Sequence, residues 1–576
     1  MEDNELKGLL NETDEMKQAR EIDDLADDLR KQRLNWEKRW LLADRFAAGN
    51  HFETWRPSTN EIGKVVFPKG MNVRPIHSAV RSTEGTLNNL ISASPQWKVF
   101  PHGVVQVSEE ERISKTNHAR RVGHYLSNLW DDEGLRGKTA EMAWNGLKYC
   151  FGVLECYWEN GKPKVRSIEP FDILFDPTVK DIRHSSVIIK EVSVPLEKVK
   201  LNEKYNENKN ALKADGKLSG SSFKESRLVE RHGRLAGKEK VLIREAWMEN
   251  PNGGWDIKHV SQGKILYSGY YEWTRPPFAS WKMNPEPLLQ TSWFERLIPL
   301  NRGIDIILAQ IERWTGVASV GRLLRKKGVN IERIFGEHGE IIDVDGMLDS
   351  IQWLNTPEIG STPFNLLAEL KNLIAETGAS TASVGRIPRG ARAGHKLVES
   401  LKASEIGSIQ HGVRALEDTL EATAEIILML INTFGEVPIE VSRENEIFEI
   451  VGKDFGKVYN QSVPVSDLDF GVNVEISSGL GFTGEARQER AIELAKMGLI
   501  DTRTALQILQ VGGDVEEIAT RALEEFERKE KAKAHAEQAQ AQPSQLSSVL
   551  DAADFQGLSP ETQEMVLEEL KEGVGQ

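Results

Sequence analysis

The most regular hydrophobic pattern of the chain lies between residues 297 and 314. Apolar side chains recur there at every third or fourth position: Leu297, Leu300, Ile304, Ile307, Ile311 and Trp314. A period of about 3.5 residues places all six on one side of a helix, as in helices that pack along a shared seam. The pattern predicts a helix over 288–316 whose apolar side requires a neighbour.

Two further helical patterns follow. A short helix is predicted over 363–377, and three leucines share one face of it: Leu366, Leu370 and Leu373. A long helix is predicted over 396–434, and strand-like sequence follows it within 397–485. Gly407 and Gly412 lie inside the long helix, where glycine weakens helical structure, so we expect a kink.

Residues 34–287 mix helical and strand patterns. Strand-like runs alternate with turn residues from about residue 152 onward. The dipeptide Asn160-Gly161 separates two of these runs and predicts a tight turn that joins them as a hairpin. The fold class that we expect for the chain is α+β, and we expect a small α/β excursion over 317–362.

The two ends of the chain have weaker patterns. Residues 1–33 are rich in Asp and Glu and are expected to form an acidic arm that is solvated or weakly helical. Residues 486–528 carry further helical patterns. Residues 529–576 are rich in Lys, Glu, Ala and Gln, a composition typical of disorder.

Composition restricts the class of protein. The chain has 576 residues, 39% of them hydrophobic, and a formal net charge of −15. No apolar run approaches the roughly 18 residues that a membrane helix needs, and the acidic N-terminus does not resemble a secretory signal. We expect a folded protein without a membrane partner. Its two cysteines, Cys150 and Cys156, are too few for a disulfide framework and are expected in the core.

Motifs for common enzymes are absent from the sequence. It contains no phosphate-binding loop of an ATPase, no Gly-x-Ser-x-Gly and no His-Glu-x-x-His. Clustered carboxylates suit metal-dependent phosphodiester cleavage, and Asp172, Asp176 and Glu191 are the best candidates for it. Strand ends with solvated acids explain the same residues more simply, so we expect no enzyme, cofactor or metal, and keep a metal-dependent nuclease as the alternative.

Positive charge is concentrated in a glycine-rich loop over 378–396. The candidate DNA contacts of this loop are Arg386, Arg389, Arg392, His395 and Lys396. Because the chain as a whole is acidic, such local charge indicates weak contact with a polyanion rather than tight binding. A second basic cluster is Arg322, Arg325, Lys326 and Lys327. It suits either a solvated turn or a contact with DNA or a partner.

The order of these segments resembles that of the portal proteins of tailed bacteriophages, the head-to-tail connectors. Local sequence resembles them as well, from about residue 34 to 510. The segments that carry the likeness are WLLADRFAAGNHF (40–52) with Trp55, NVRPI (72–76), ASPQWKVFP (93–101), KYCFG (148–152), IEPFDILFDP (168–177) and PRGARAG (388–394). Their order along the chain, rather than any one motif, carries the likeness.

The resemblance implies a ring, usually of twelve subunits, around a channel for double-stranded DNA. The wing would comprise 34–287 and 397–485, the stem helices 288–316 and 363–377, the clip 317–362, the tunnel loop 378–396 and the crown 486–528. Several arginines stand in the loop where a family member uses fewer charges.

The implied partners are a terminase large subunit that supplies ATP hydrolysis, major capsid and scaffolding proteins, and head-completion or tail adaptor proteins. The implied location is the portal vertex of the virion, and the host cytoplasm during assembly. A capsid-associated scaffold without a channel is a second alternative.

Overall fold

The computed structural model describes residues 14–52, 55–56, 61–62, 75–91, 95–102, 108–131, 134–214, 240–319, 322–327, 340–344, 351–354, 359–378, 395–443, 446–452, 462–464 and 470–476. By internal contacts the chain divides into residues 1–478 and 479–576, and every described residue belongs to the first unit. The predicted crown helices (486–528) and disordered tail (529–576) lie outside the described residues.

The α-helices of the described part are α1 (Asp14–Ala47), α2 (Ser78–Ile91), α3 (Glu109–Asp131), α4 (Leu135–Tyr149), α5 (Leu196–Leu201), α6 (Trp293–Ser319), α7 (Thr362–Thr377) and α8 (His395–Phe434). Short 3-10 helices cover Pro170–Asp172, Ile182–His184 and Glu207–Ala211. None of the described helices combines the length and the hydropathy that a membrane span requires.

The strands are β1 (Trp55–Arg56), β2 (Glu61–Ile62), β3 (Gln96–Pro101), β4 (Gly152–Glu159), β5 (Lys162–Ile168), β6 (Ile173–Phe175), β7 (Val187–Pro195), β8 (Lys240–Glu249), β9 (Trp255–Ser261), β10 (Lys264–Tyr271), β11 (Phe278–Trp281), β12 (Arg322–Lys326), β13 (Glu340–Val344), β14 (Ile351–Leu354), β15 (Ile439–Arg443), β16 (Glu446–Val451), β17 (Ser462–Pro464) and β18 (Phe470–Glu475). Helices and mostly antiparallel sheets together make an α+β fold, as the sequence predicts.

We call the described residues of 14–292 and 395–476 the body. Two antiparallel sheets form its centre. One has the strand order β10-β9-β8-β7-β6, and the other has the order β11-β4-β5. The predicted hairpin is the pair β4 and β5, and Asn160 and Gly161 adopt positive φ values of 52° and 76° in its turn. Positive φ at both positions is the backbone of a tight hairpin turn, so this prediction is confirmed.

The N-terminal helix corrects the prediction for the acidic arm. A stripe of Ala19, Ile22, Ala26 and Leu29 is buried against the five-stranded sheet. These residues are three or four positions apart, so they share one face of α1. Residues 14–33 are therefore packed on the sheet rather than solvated, and they continue into 34–47 as one helix. A narrow apolar stripe of four residues suffices for this packing.

The long helix α8 forms the other side of the main core. It is continuous from His395 to Phe434, through both Gly407 and Gly412. Gly412 serves close packing, since a Cβ at this position would lie 2.4 Å from Sδ of Met283. The main core also contains Cys150 and Cys156, which are free thiols and fully buried, as predicted. Burial raises the pKa of the Cys150 thiol to about 12, which suits an unreactive core residue.

The smaller sheets complete the body. Strand β18 pairs with β3, and β16 pairs with β15 and β17. In the sequence excursion between α6 and α7, strand β12 lies between β13 and β14. The sequence predicts a small α/β structure for this excursion; between α6 and α7 its described residues are the three strands, a turn at Lys327 and irregular residues 359–361.

Candidate functional site

The helices α6 and α7 pack against each other as a hairpin, whose proximal half comprises residues 293–309 and 367–377. The buried members of this contact, together with residues of α1 and α2, are Ala43, Phe46, Ala79, Phe294, Leu297, Ile304 and Ile374. Gly303 allows the close approach, because a Cβ at its position would lie 3.0 Å from Cδ1 of Leu370. Leu300 packs at the edge of this cluster and Ile307 is buried. Over this half the predicted seam finds its neighbour within the same chain.

The distal half of the hairpin, residues 310–319 and 362–366, leaves apolar side chains uncovered. Ile311 and Trp314 are only partly buried, while Phe364 is 47% exposed and Leu366 49%. Phe364 and Leu366 are two positions apart in α7, so they lie on different faces of that helix rather than in one patch. The seam of α6 is therefore an internal core at one end and only partly covered at the other, at Ile311 and Trp314.

The buried face of α7 differs from the predicted one. The side chains that pack are Leu367, Leu370 and Ile374, whereas Leu366 is exposed. Apolar residues occur on more than one face of this helix, so helical periodicity alone does not determine which face is buried. The position of α6 decides between them.

A buried polar cluster attaches α6 to the body. Oδ1 of Asp305 accepts a hydrogen bond from the amide of Ile76 (2.9 Å), and its Oδ2 lies 2.5 Å from Nδ1 of His51. One turn earlier, Oδ1 of Asn301 accepts from the amide of Ala79 (2.9 Å), and its Nδ2 donates to the carbonyl of Ile76 (2.8 Å). Buried hydrogen bonds of this kind fix the register between elements.

Sequence reasoning missed this cluster. Asn301 and Asp305 are four residues apart, on either side of the buried Ile304. Two polar residues at that spacing beside an apolar seam were the available signal, since they share a helix face. Their partners His51 and Ile76 are more than two hundred residues away in sequence, so only the fold brings them together.

Three of the four residues in the basic cluster of 322–327 form a strand. Arg322, Arg325 and Lys326 belong to β12, where Arg322 is in register with Glu340 and Arg325 with Asp343. Lys327 follows in a turn and is exposed. The prediction of a solvated turn therefore fits Lys327 alone. The other three residues lie in the extended strand β12, which pairs with β13 on one side and with β14 on the other.

The glycine- and arginine-rich loop falls largely outside the described residues, including Arg386, Arg389 and Arg392. Its first residue, Gly378, donates its amide to the carbonyl of Ile374 (2.9 Å) and lies against α2, where a Cβ would be 2.0 Å from Oγ of Ser82. At the other end, His395 and Lys396 belong to the first turn of α8 rather than to the loop. The loop therefore begins at Gly378, which lies against α2, and leads to His395, the first residue of α8.

The candidate nuclease acids do not form one site. Glu191 is buried and forms ion pairs with Arg30 and with Arg244, whose Nε lies 3.2 Å from Oε1. Asp176 is exposed and accepts hydrogen bonds from the amide and hydroxyl of Thr178, which hold the pKa of its carboxyl below the usual range. In the described part of the chain, no group of three or more His, Cys, Asp or Glu side chains is placed to hold a metal ion.

Asp172 ends the short 3-10 helix Pro170–Asp172 before β6. Lys190, the neighbour of Glu191, is buried on the other side of β7 and pairs with Glu155 at 2.6 Å. Burial by itself would raise the pKa of Glu155, but Lys190 and Arg166 together hold it below its usual range. These charges are paired across elements, an arrangement that fixes how the elements pack.

No protein-family model matches this chain, and no curated protein sequence matches it at a significant level.

Proposed function

We propose that this chain is the subunit of a portal ring, through which double-stranded DNA enters a capsid and later leaves it. The observation that carries the proposal is the α6–α7 hairpin, with its proximal half in the core and apolar side chains exposed on its distal half. Phe364 and Leu366 lack cover within the described residues. In a ring, each hairpin has a neighbouring hairpin on either side, and these two neighbours supply that cover, since burying apolar surface drives association.

The position of the basic loop supports the same proposal. It connects Gly378 at the end of the hairpin with the long helix α8, so a ring carries one copy of it per subunit. An acidic protein repels DNA over most of its surface, and a repeated basic loop adds weak phosphate contacts that do not depend on base sequence. With twelve subunits the formal charge is twelve times −15. DNA entry then needs a separate motor, the terminase.

The excursion between α6 and α7 is the proposed contact for that terminase and for head-completion or tail adaptor proteins. Its sheet β13-β12-β14 carries Arg322, Arg325 and Lys326 on the central strand. The major capsid and scaffolding proteins would surround the body of the ring. The protein would act in the virion at the portal vertex and in the host cytoplasm during assembly.

Electron microscopy of the purified protein tests the ring, together with its mass in solution. We expect rings with a central hole for the wild type. Leu366→Asp places a charge on the proposed interface and should give monomers that are still folded, because its side chain does not belong to the core. Asn365→Asp is the matched control, since it adds a charge at the neighbouring exposed position, and it should form rings.

Monomers or filaments of the wild type at high concentration would overturn the ring and favour a scaffold without a channel. Rings of Leu366→Asp that are indistinguishable from wild type would remove the hairpin from the interface.

A further inference from the structure

A small cavity lies between α8, the end of strand β11 and the 3-10 helix Ile182–His184. Its volume is about 80 Å³. A water molecule needs at least about 10–15 Å³ of such space, so the cavity holds several waters or one small ion. Sites for larger organic ligands usually exceed about 300 Å³. Ala415 and Ala422 contribute the apolar part of the wall, and the other lining residues are polar or charged.

Lys282 contributes a half-buried ammonium group to this cavity. Its Nζ donates to the carbonyl oxygens of Lys180 and Glu286, each 2.6 Å away. An ammonium group has three N–H donors, so one remains for a ligand. Burial lowers the pKa of this group, and the charge of Lys180 adds to that effect while Asp181 opposes it. An anion in the cavity would offset the cost of burying the charge.

The carboxylate of Asp181 is occupied by neighbouring donors. Its Oδ2 accepts from Nε and Nη2 of Arg183, at 2.9 and 2.6 Å. Its Oδ1 accepts from the amide of Arg183 at 3.0 Å and from the hydroxyl of Ser280 at 3.2 Å. Asp181 therefore neutralises Arg183, whose Nη1 takes no part in this pair, and leaves the charge of Lys282 without a matching carboxylate.

The second carboxylate of the cavity is that of Asp418, on the side formed by α8. Asp418 is exposed, and no hydrogen bond or ion pair among the described residues involves its carboxylate. Because Asp181 and Arg183 neutralise each other, Lys180 and Lys282 against Asp418 leave the lining with one positive charge. Such a lining attracts an anion. A carboxylate only accepts hydrogen bonds, so Asp418 favours an anion that carries a proton.

We propose that this cavity binds inorganic phosphate, whose oxygens accept from Lys282 and Arg183 and whose hydroxyl donates to Asp418. Ammonium and guanidinium groups are common phosphate ligands in proteins. Inorganic phosphate keeps at least one proton at neutral pH, which Asp418 can accept. Sulfate and the phosphodiesters of DNA keep none, and phosphate monoesters lose theirs above pH about 6. These ions meet Asp418 as like charges, so the site is separate from the proposed contacts with DNA.

Calorimetric titration of the purified protein with phosphate and with sulfate, at equal ionic strength, tests the proposal. The wild type should bind one phosphate per chain and prefer it to sulfate at least about tenfold, because sulfate leaves Asp418 unpaired and repelled. Lys282→Met should weaken phosphate binding about tenfold or more. Lys180→Met, at an exposed position, should weaken it up to about fivefold. Lys162→Met, in the exposed turn of the β4–β5 hairpin, is the control and should bind as the wild type does.

Asp418→Asn separates the proton acceptor from the rest of the site. The amide keeps the size of the side chain, removes its charge and offers N–H donors. This variant should therefore remain folded and bind sulfate nearly as well as phosphate. An unchanged preference for phosphate in Asp418→Asn would overturn the proposal, as would the absence of phosphate binding to the wild type at millimolar concentration. Binding is counted per chain, so neither result depends on whether the chain forms rings.

Discussion

The indole Nε1 of Trp281 donates a hydrogen bond to the carbonyl oxygen of Gly412, 3.0 Å away, in the middle of the long helix α8. The ring is completely buried. On another side it meets α4, where a Cβ at Gly146 would lie 2.4 Å from Cε3 of the indole. Trp281 therefore joins two helices of the core at positions where each carries a glycine.

Gly146→Ala should destabilise the protein. The added methyl group overlaps the rigid indole, and overpacking of this kind costs about 1–3 kcal/mol. Gly137→Ala is the matched control in the same helix, because a Cβ there meets nothing within 4 Å. Alanine is the better helix former, so the control should gain up to about 1 kcal/mol. Chemical denaturation measures both, and equal effects of the two changes would contradict the close packing.

Glu191→Ala should lower the free energy of unfolding by about 1–3 kcal/mol, because it removes a buried acceptor from two arginines. The remaining partners, Asp23 and Asp27 for Arg244 and Glu37 for Arg30, still compensate part of their charge. Asp176→Ala removes an exposed carboxylate that caps its own turn, so its effect should be much smaller. The same denaturation experiment compares them. Full stability of Glu191→Ala would show that the carboxylate is dispensable for the fold and would reopen a role in catalysis.

Glu421→Gln should stabilise the protein at neutral pH. Burial raises the pKa of Glu421, and although the amide of Val474 opposes this, neighbouring carboxylates such as Asp418 and Glu425 add to it. A raised carboxyl pKa means that ionisation costs stability. Wild type and variant should match below pH about 4, near the ordinary glutamate pKa. The wild type should then fall behind as the pH rises through the raised pKa.

The neutral amide oxygen still accepts the hydrogen bond from Val474, so only the charge is removed. Glu421 is partly exposed, and the gain should stay below about 1 kcal/mol. Glu436→Gln, at an exposed carboxylate, is the control and should not change the pH dependence of unfolding. A stability difference that is independent of pH would contradict the role of charge.

Replacing Arg386, Arg389 and Arg392 by alanine should leave ring assembly intact and reduce the packaging or retention of DNA, if the proposed function holds. The physical reason is the loss of phosphate contacts that depend on positive charge. The triple lysine variant keeps that charge and should package DNA nearly as well as the wild type. Equal packaged length and retention for the alanine and wild-type rings would mean that these arginines do not act on DNA.

The elements of this protein were largely predictable from its sequence because they follow from local periodicity and turn chemistry. Helix α7 begins one residue before its predicted start, and the turn at Asn160 and Gly161 has the expected backbone. Helix α6 begins five residues after its predicted start. There Oγ of Ser292 accepts the amide of Glu295 at 3.1 Å, a helix-start signal that the apolar period does not contain.

Contacts between distant segments were decided only by the tertiary structure. Periodicity defines an apolar face but not what covers it, so the sequence indicated the seam of α6 without revealing that Ile304 lies in the core while Trp314 remains partly open. The same limit applies to α1, whose narrow apolar stripe does not by itself reveal that the five-stranded sheet covers it. Side chains such as His51 and Asp305 meet because backbone packing brings them together, and no local pattern encodes that distance.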